Sequence, residues 1–101
     1  MPFANSNECS DHFRRHGSDF GAKTPKEYEA LADAFLMGKS SSTGLEYTRS
    51  QGDVVRFDPA TDEFGVLGAD GYIRTYFKPV PGVTHKRSTN LEYFRITCLR
   101  F

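Results

Sequence analysis

The sequence predicts an α+β fold, with one or two N-terminal helices packed on a curved antiparallel sheet of four or five strands. Three observations lead there. Residues 24–38 read as a capped amphipathic helix. From Leu45 onward the apolar period shortens to two. The runs that alternate are joined by turns short enough to make sequential strands antiparallel neighbours. At 101 residues the chain is sized for one domain, 1–101, with a small core.

Taken in order, Ser10–His16 reads as a short helix, with Ser10 as N-cap, Asp11 near the positive end and Gly17 as terminator. Residues 18–23 form a connection whose Phe20 turns into the core. Thr24-Pro25-Lys26-Glu27 is a capping box with proline at the first helical position. Tyr28, Leu31, Ala32, Phe35 and Leu36 then fall on one apolar stripe, and Gly38 ends the helix. Residues 39–44 are a Ser/Gly linker. Strands are expected over 45–50, 53–58, 63–68 and 72–78, separated by turns at Gln51-Gly52, Asp58–Asp62 and Asp70-Gly71. Residues 91–101 alternate in part and read as a fifth strand or a segment docked along the sheet.

Composition narrows the function. Hydrophobic residues make up 38% and charged residues 26%, which favours a globular domain over disorder. No apolar run approaches membrane-spanning length. The first seven residues lack the basic-then-apolar pattern of a signal peptide, so a cytoplasmic location is expected. Cys9 and Cys98 read as reduced thiols, a disulfide joining the two ends being the alternative. No zinc spacing, nucleotide-binding glycine loop, Gly-x-Ser-x-Gly elbow or acidic metal cluster is present, so no metal or cofactor is expected.

Net charge is zero, but it is unevenly spread. Residues 1–70 carry 7 Lys/Arg against 12 Asp/Glu, a balance of −5, and residues 71–101 carry 6 against 1, a balance of +5. A basic surface on a neutral protein suits an anionic partner such as RNA. The basic third opens with Gly71–Pro79. Strict alternation puts Tyr72, Arg74, Tyr76 and Lys78 on one side of that strand and Ile73, Thr75 and Phe77 on the other. If Ile73 and Phe77 meet the helices, Arg74, Tyr76 and Lys78 lie on a free sheet face. Arg74 and Lys78 would then grip phosphates, and Tyr76 would stack a base or donate to a phosphate. Thr75 joins them only if a bulge turns it outward. Tyr72 suits cross-strand packing better.

His12 and His16 stand four apart and share a helix face. Histidine titrates near neutrality, so such a pair suits removal of a ribose 2′-proton and protonation of a leaving 5′-oxygen, with Arg or Lys stabilising the phosphate. Arg15 is a phosphate contact in that scheme, whereas Arg14 suits a solvated helix face. Arg49 and Arg56 lie within strands, where a phosphate contact and a structural role fit equally. His85 sits in a loop beside Lys86 and Arg87, suited to close over a substrate or simply to move. Asn90 and Tyr93 are further polar candidates near the basic end.

Several blocks occur in order: residues 12–21 (HFRRHGSDFG), Glu27-Tyr28, residues 52–59 (GDVVRFDP), Phe64-Gly-Val66, residues 71–79 (GYIRTYFKP) and residues 90–94 (NLEYF). Together, over roughly residues 10–94, they resemble the barnase/EndoU/colicin-D/RelE-like ribonuclease toxin domains. Such domains occur in bacterial polymorphic and contact-dependent inhibition toxins and in phage-associated proteins. The resemblance implies metal-independent cleavage of RNA, tRNA or mRNA, to a 2′,3′-cyclic phosphate. It also implies a cognate antitoxin or immunity protein. By motif it carries over His12, His16, Arg74, Thr75 and Lys78 as catalytic residues and Arg56 and Tyr93 as site residues. Arg15, Tyr76 and His85 complete the expected substrate contacts. A non-catalytic RNA- or protein-binding module of a toxin–antitoxin or phage system is the alternative.

Overall fold

The computed structural model describes residues 3–39 and 41–100. Helix α1 spans Ser6–His16 and continues into a 3-10 helix, Gly17–Phe20. Helix α2 spans Pro25–Met37. Strands β1 (Leu45–Thr48), β2 (Val54–Asp58), β3 (Glu63–Leu67) and β4 (Ile73–Phe77) form one antiparallel sheet in the order β1-β2-β3-β4. Helix α3 spans Asn90–Leu99. The architecture is α+β with four strands.

Two helix expectations change. Helix α1 begins four residues earlier than Ser10, because Asn5 is its cap and accepts from the Glu8 N–H at 2.9 Å. Residues 90–99 are helical, not a fifth strand. Thr89 Oγ1 accepts from the Glu92 N–H at 3.1 Å, the same Thr-x-x-Glu cap that starts α2, where Thr24 accepts from Glu27. Phe94 and Cys98, four apart, form the buried stripe of α3.

Both sheet faces are covered. On one, Tyr28, Ala32 and Leu36 of α2 pack with Cys9, Phe3, Ile73 and Tyr76. On the other, Phe94 and Cys98 of α3 pack with Val55, Phe57, Phe64, Val66 and Phe77. Each fully buried side chain of this size contributes roughly 1.5–3 kcal/mol. Gly65 permits the first contact, since a Cβ there would lie 2.9 Å from Leu36 Cδ2. Cys9 and Cys98, both free thiols, belong to the two separate clusters on opposite faces of the sheet.

A bulge sets the parity of β4. Val66 pairs with Thr75 and Leu67 with Ile73, so Arg74 is the extra residue. Beyond it the alternation reverses: Ile73 and Tyr76 share the α2 face, and Thr75 and Phe77 face the α3 side. The expected free face bearing Arg74, Tyr76 and Lys78 together therefore does not exist. Tyr76 is 1% exposed, stacked on Phe20 at 4.1 Å, with its hydroxyl donating to Glu63. It fills the core and is closed to a nucleobase.

Candidate functional site

The chemistry-bearing side chains gather where β4 ends. Phe77 and Phe64 form the floor, 5.4 Å apart between ring centroids. On one side His16 stacks on Phe77 at 5.2 Å. It gets there because α1 runs beside β4, the edge strand that Phe3 extends by a bridge to Ile73. On the other side Tyr93 of α3 lies 5.0 Å from Phe64, and His85 stacks flat on Tyr93 at 4.3 Å. A continuous run of rings thus joins His16 to His85. The loop 78–89 leaves from this same end of β4.

The three histidines differ in what their nitrogens can do. The His16 ring makes no hydrogen bond to any described residue and is half-buried. Burial lowers its pKa below the ordinary 6.5, and the charges of Arg15 and His12 push the same way, so it is neutral near pH 7. His12, one helical turn away at 6.0 Å, is buried against Phe3. Its pKa is also lowered by burial, then by Arg15, and its Nδ1 is buried without a hydrogen-bond partner. His85 has both nitrogens engaged. Its Nδ1 accepts from the Arg87 N–H at 3.1 Å, and its Nε2 lies 2.9 Å from Asn90 Oδ1. That assigns the neutral Nε2–H tautomer.

The cations sort by whether an acid already holds them. Arg14 and Arg15 pair with Asp11. Arg74 pairs with Asp70 at 2.8 Å. Arg49 pairs with Asp53 and donates to the Thr97 carbonyl at 3.2 Å, tying the β1–β2 hairpin to α3. Arg56 pairs with Glu46 and donates to the Phe35 carbonyl at 2.8 Å, clasping the C-terminal turn of α2. Lys78, Lys86, Arg87, Arg95 and Arg100 have no ion-pair partner among the described residues. The unpaired part of the basic third is therefore the 78–89 loop and α3, with Arg74 already neutralised.

Of the residues expected from sequence, the structure brings His16, His85 and Tyr93 onto one run of rings at the end of β4, with Thr75 on the same sheet face as Phe77, whereas Lys78 turns to the Tyr76 face. Lys78 rests its Nζ 5.4 Å above the Phe20 ring. Arg74 stands about 13 Å of strand away from Lys78. Arg56 lies on the α2 face, and Arg15 on the exposed side of α1. Burial raises the Tyr93 pKa, against the opposing pull of Arg100 and Thr97, so its phenol stays protonated.

Sequence reasoning missed the partner of Asn90. Its amide donates to the Pro79 carbonyl at 2.9 Å and to Asp62 Oδ1 at 3.2 Å. Asp62 is the one non-glycine residue with positive φ, 62°, among the described residues. Two clefts also exist, of about 280 Å³ between α2 and β1–β2 and about 440 Å³ between Cys9 and Glu29. Neither is lined by His16, Thr75, Lys78, His85 or Tyr93. Among the described residues no three His, Cys, Asp or Glu converge as metal ligands, and no helix is long and apolar enough to cross a membrane.

No family model matches the sequence, and no curated relative matches it. Among solved structures, the chain is similar to a ribonuclease from Escherichia coli complexed with its inhibitor protein. The TM-score is 0.56 at 18% identity, over 86% of this chain and 95% of that one. At that identity the likeness shows a shared fold.

Proposed function

We propose that the chain is a bacterial endoribonuclease toxin that works without a metal at the end of β4. The observation that carries this reading is His16: a neutral imidazole with unengaged nitrogens, stacked on Phe77 at the end of β4, where the cationic 78–89 loop begins. The fold shared with a solved ribonuclease supports it. In this scheme His16 takes the proton of a ribose 2′-OH. The freed O2′ forms a bond to phosphorus, the P–O5′ bond breaks, and His16 returns the proton to the leaving 5′-oxygen. The products are a 2′,3′-cyclic phosphate and a 5′-hydroxyl. Lys78 and the loop cations stabilise the phosphate charge, Thr75 lies on the same face to position it, and Tyr93 offers a ring to a base. One histidine makes both transfers because His12 is buried and His85 is engaged.

A protein inhibitor, as accompanies the E. coli ribonuclease, would occlude this face. The site of action would be the cytoplasm of the producing or target cell, where the RNA is. One observation favours the alternative of a non-catalytic RNA- or protein-binding module: a single histidine is free for proton transfer. Induced expression in a bacterium separates the two. Growth arrest with fragmented RNA, relieved by His16→Ala, supports the nuclease; arrest with intact RNA excludes it.

A further inference from the structure

The 78–89 loop carries three of the unpaired cations, Lys78, Lys86 and Arg87, and hydrogen bonds hold its far half in place. The residue at the centre of that hold is Asn90, 9% exposed at the first turn of α3. One side-chain amide meets three segments. It donates to Pro79 where the loop begins and to Asp62 in the β2–β3 turn, and it accepts from His85 in the loop's far half. With both N–H groups of the amide spent on those acceptors, Oδ1 is left for His85, and the imidazole must present Nε2–H. The other ring nitrogen then accepts the Arg87 N–H, which sets the backbone of the cationic residue itself. Tyr93 stacks on the ring and blocks its rotation.

We propose that Asn90 is a positioning residue for this site, one that fixes the basic loop through His85 so that Lys86 and Arg87 stand ready for RNA phosphates. His85 moves no proton in the reaction. The inference rests on the ribonuclease reading for its substrate but not for the hold itself. A loop fixed before binding spares the ordering cost that a mobile loop would incur.

Two measurements test it. Trypsin cutting after Lys86 and Arg87 reports loop opening with no RNA present. Asn90→Ala, which removes three hydrogen bonds, and His85→Gln, which disturbs two, should each be cut at least about tenfold faster than wild type under native conditions. Turnover of a single-stranded RNA oligonucleotide reports the function. Both variants should raise KM about tenfold while kcat keeps the wild-type pH profile. Loss of a limb of the kcat profile in His85→Gln would make His85 an acid or base and overturn the proposal. So would unchanged trypsin cutting in both variants, or an unchanged KM with only a lower Tm. Faster cutting in a protein that cleaves no RNA would leave the hold intact and remove the ribonuclease reading.

Discussion

Removing the Asp53 carboxylate should weaken the tie between α3 and the sheet's outer hairpin. Arg49 and Asp53 pair with side chains 15% and 11% exposed, and the same guanidinium reaches the Thr97 carbonyl in the last turn of α3. Exposed pairs contribute about 0.2–1 kcal/mol, and breaking a fully buried pair costs about 3–5 kcal/mol. This pair lies between, so Asp53→Ala should cost about 2 kcal/mol by leaving Arg49 with one neutral partner. For a domain of this size that lowers Tm by roughly 10 °C. Arg49→Met should cost a similar amount. The double variant should cost about 2 kcal/mol rather than the sum, because neither charge is then stranded. Urea unfolding of the four proteins measures the coupling. The pH dependence carries the sign. The hydrogen bond from Arg49 lowers the Asp53 pKa below 3.8, so its stabilisation is present above that pH and lost as pH falls through the folded-state value. Additive single costs, or a coupling under about 0.5 kcal/mol, would refute the idea that this pair anchors α3.

Two further outcomes follow from the same reading. His12 has a folded pKa lowered by burial, so the unfolded chain takes up its proton first. Its contribution is full above pH 6.5 and is lost as pH falls below it; His12→Gln should flatten that part of a stability-versus-pH curve, and an unchanged slope would contradict the burial argument. Arg56→Ala removes the clasp on the α2 C-terminus and the partner of Glu46, and should cost about 1–3 kcal/mol by thermal melting. An unchanged Tm would leave Arg56 without the structural role assigned to it.

What was legible in the sequence is local. The Thr24 cap, the α2 stripe and the four strands with their turns all depend on neighbours within a few residues, and their bounds hold to within two residues. Helix α3 carried a signal of equal quality in Thr89-x-x-Glu92, but the partial alternation of Tyr93, Arg95, Thr97 and Leu99 outweighed it. The bulge at Arg74 had no local mark. Nothing in GYIRTYFKP says where an extra residue enters the ladder, yet that choice buries Tyr76 beside Ile73 on the α2 face and turns Thr75 and Phe77 together to the α3 face. The basic third was visible as a count. Which of its cations are unpaired was not, since that depends on contacts such as Arg74 with Asp70. The hold on His85 needed three segments brought together, with Asp62 lying 28 residues from Asn90.

The central claim is that His16 transfers protons at an RNA phosphate. The direct measurement is cleavage of an end-labelled RNA oligonucleotide by purified protein in excess chelator, with the product ends identified. The account predicts 2′,3′-cyclic phosphate ends, no cleavage when the scissile nucleotide is 2′-deoxy, and a loss of at least about 100-fold in His16→Ala. Equal cleavage by His16→Ala, or cleavage of the 2′-deoxy substrate, would contradict it.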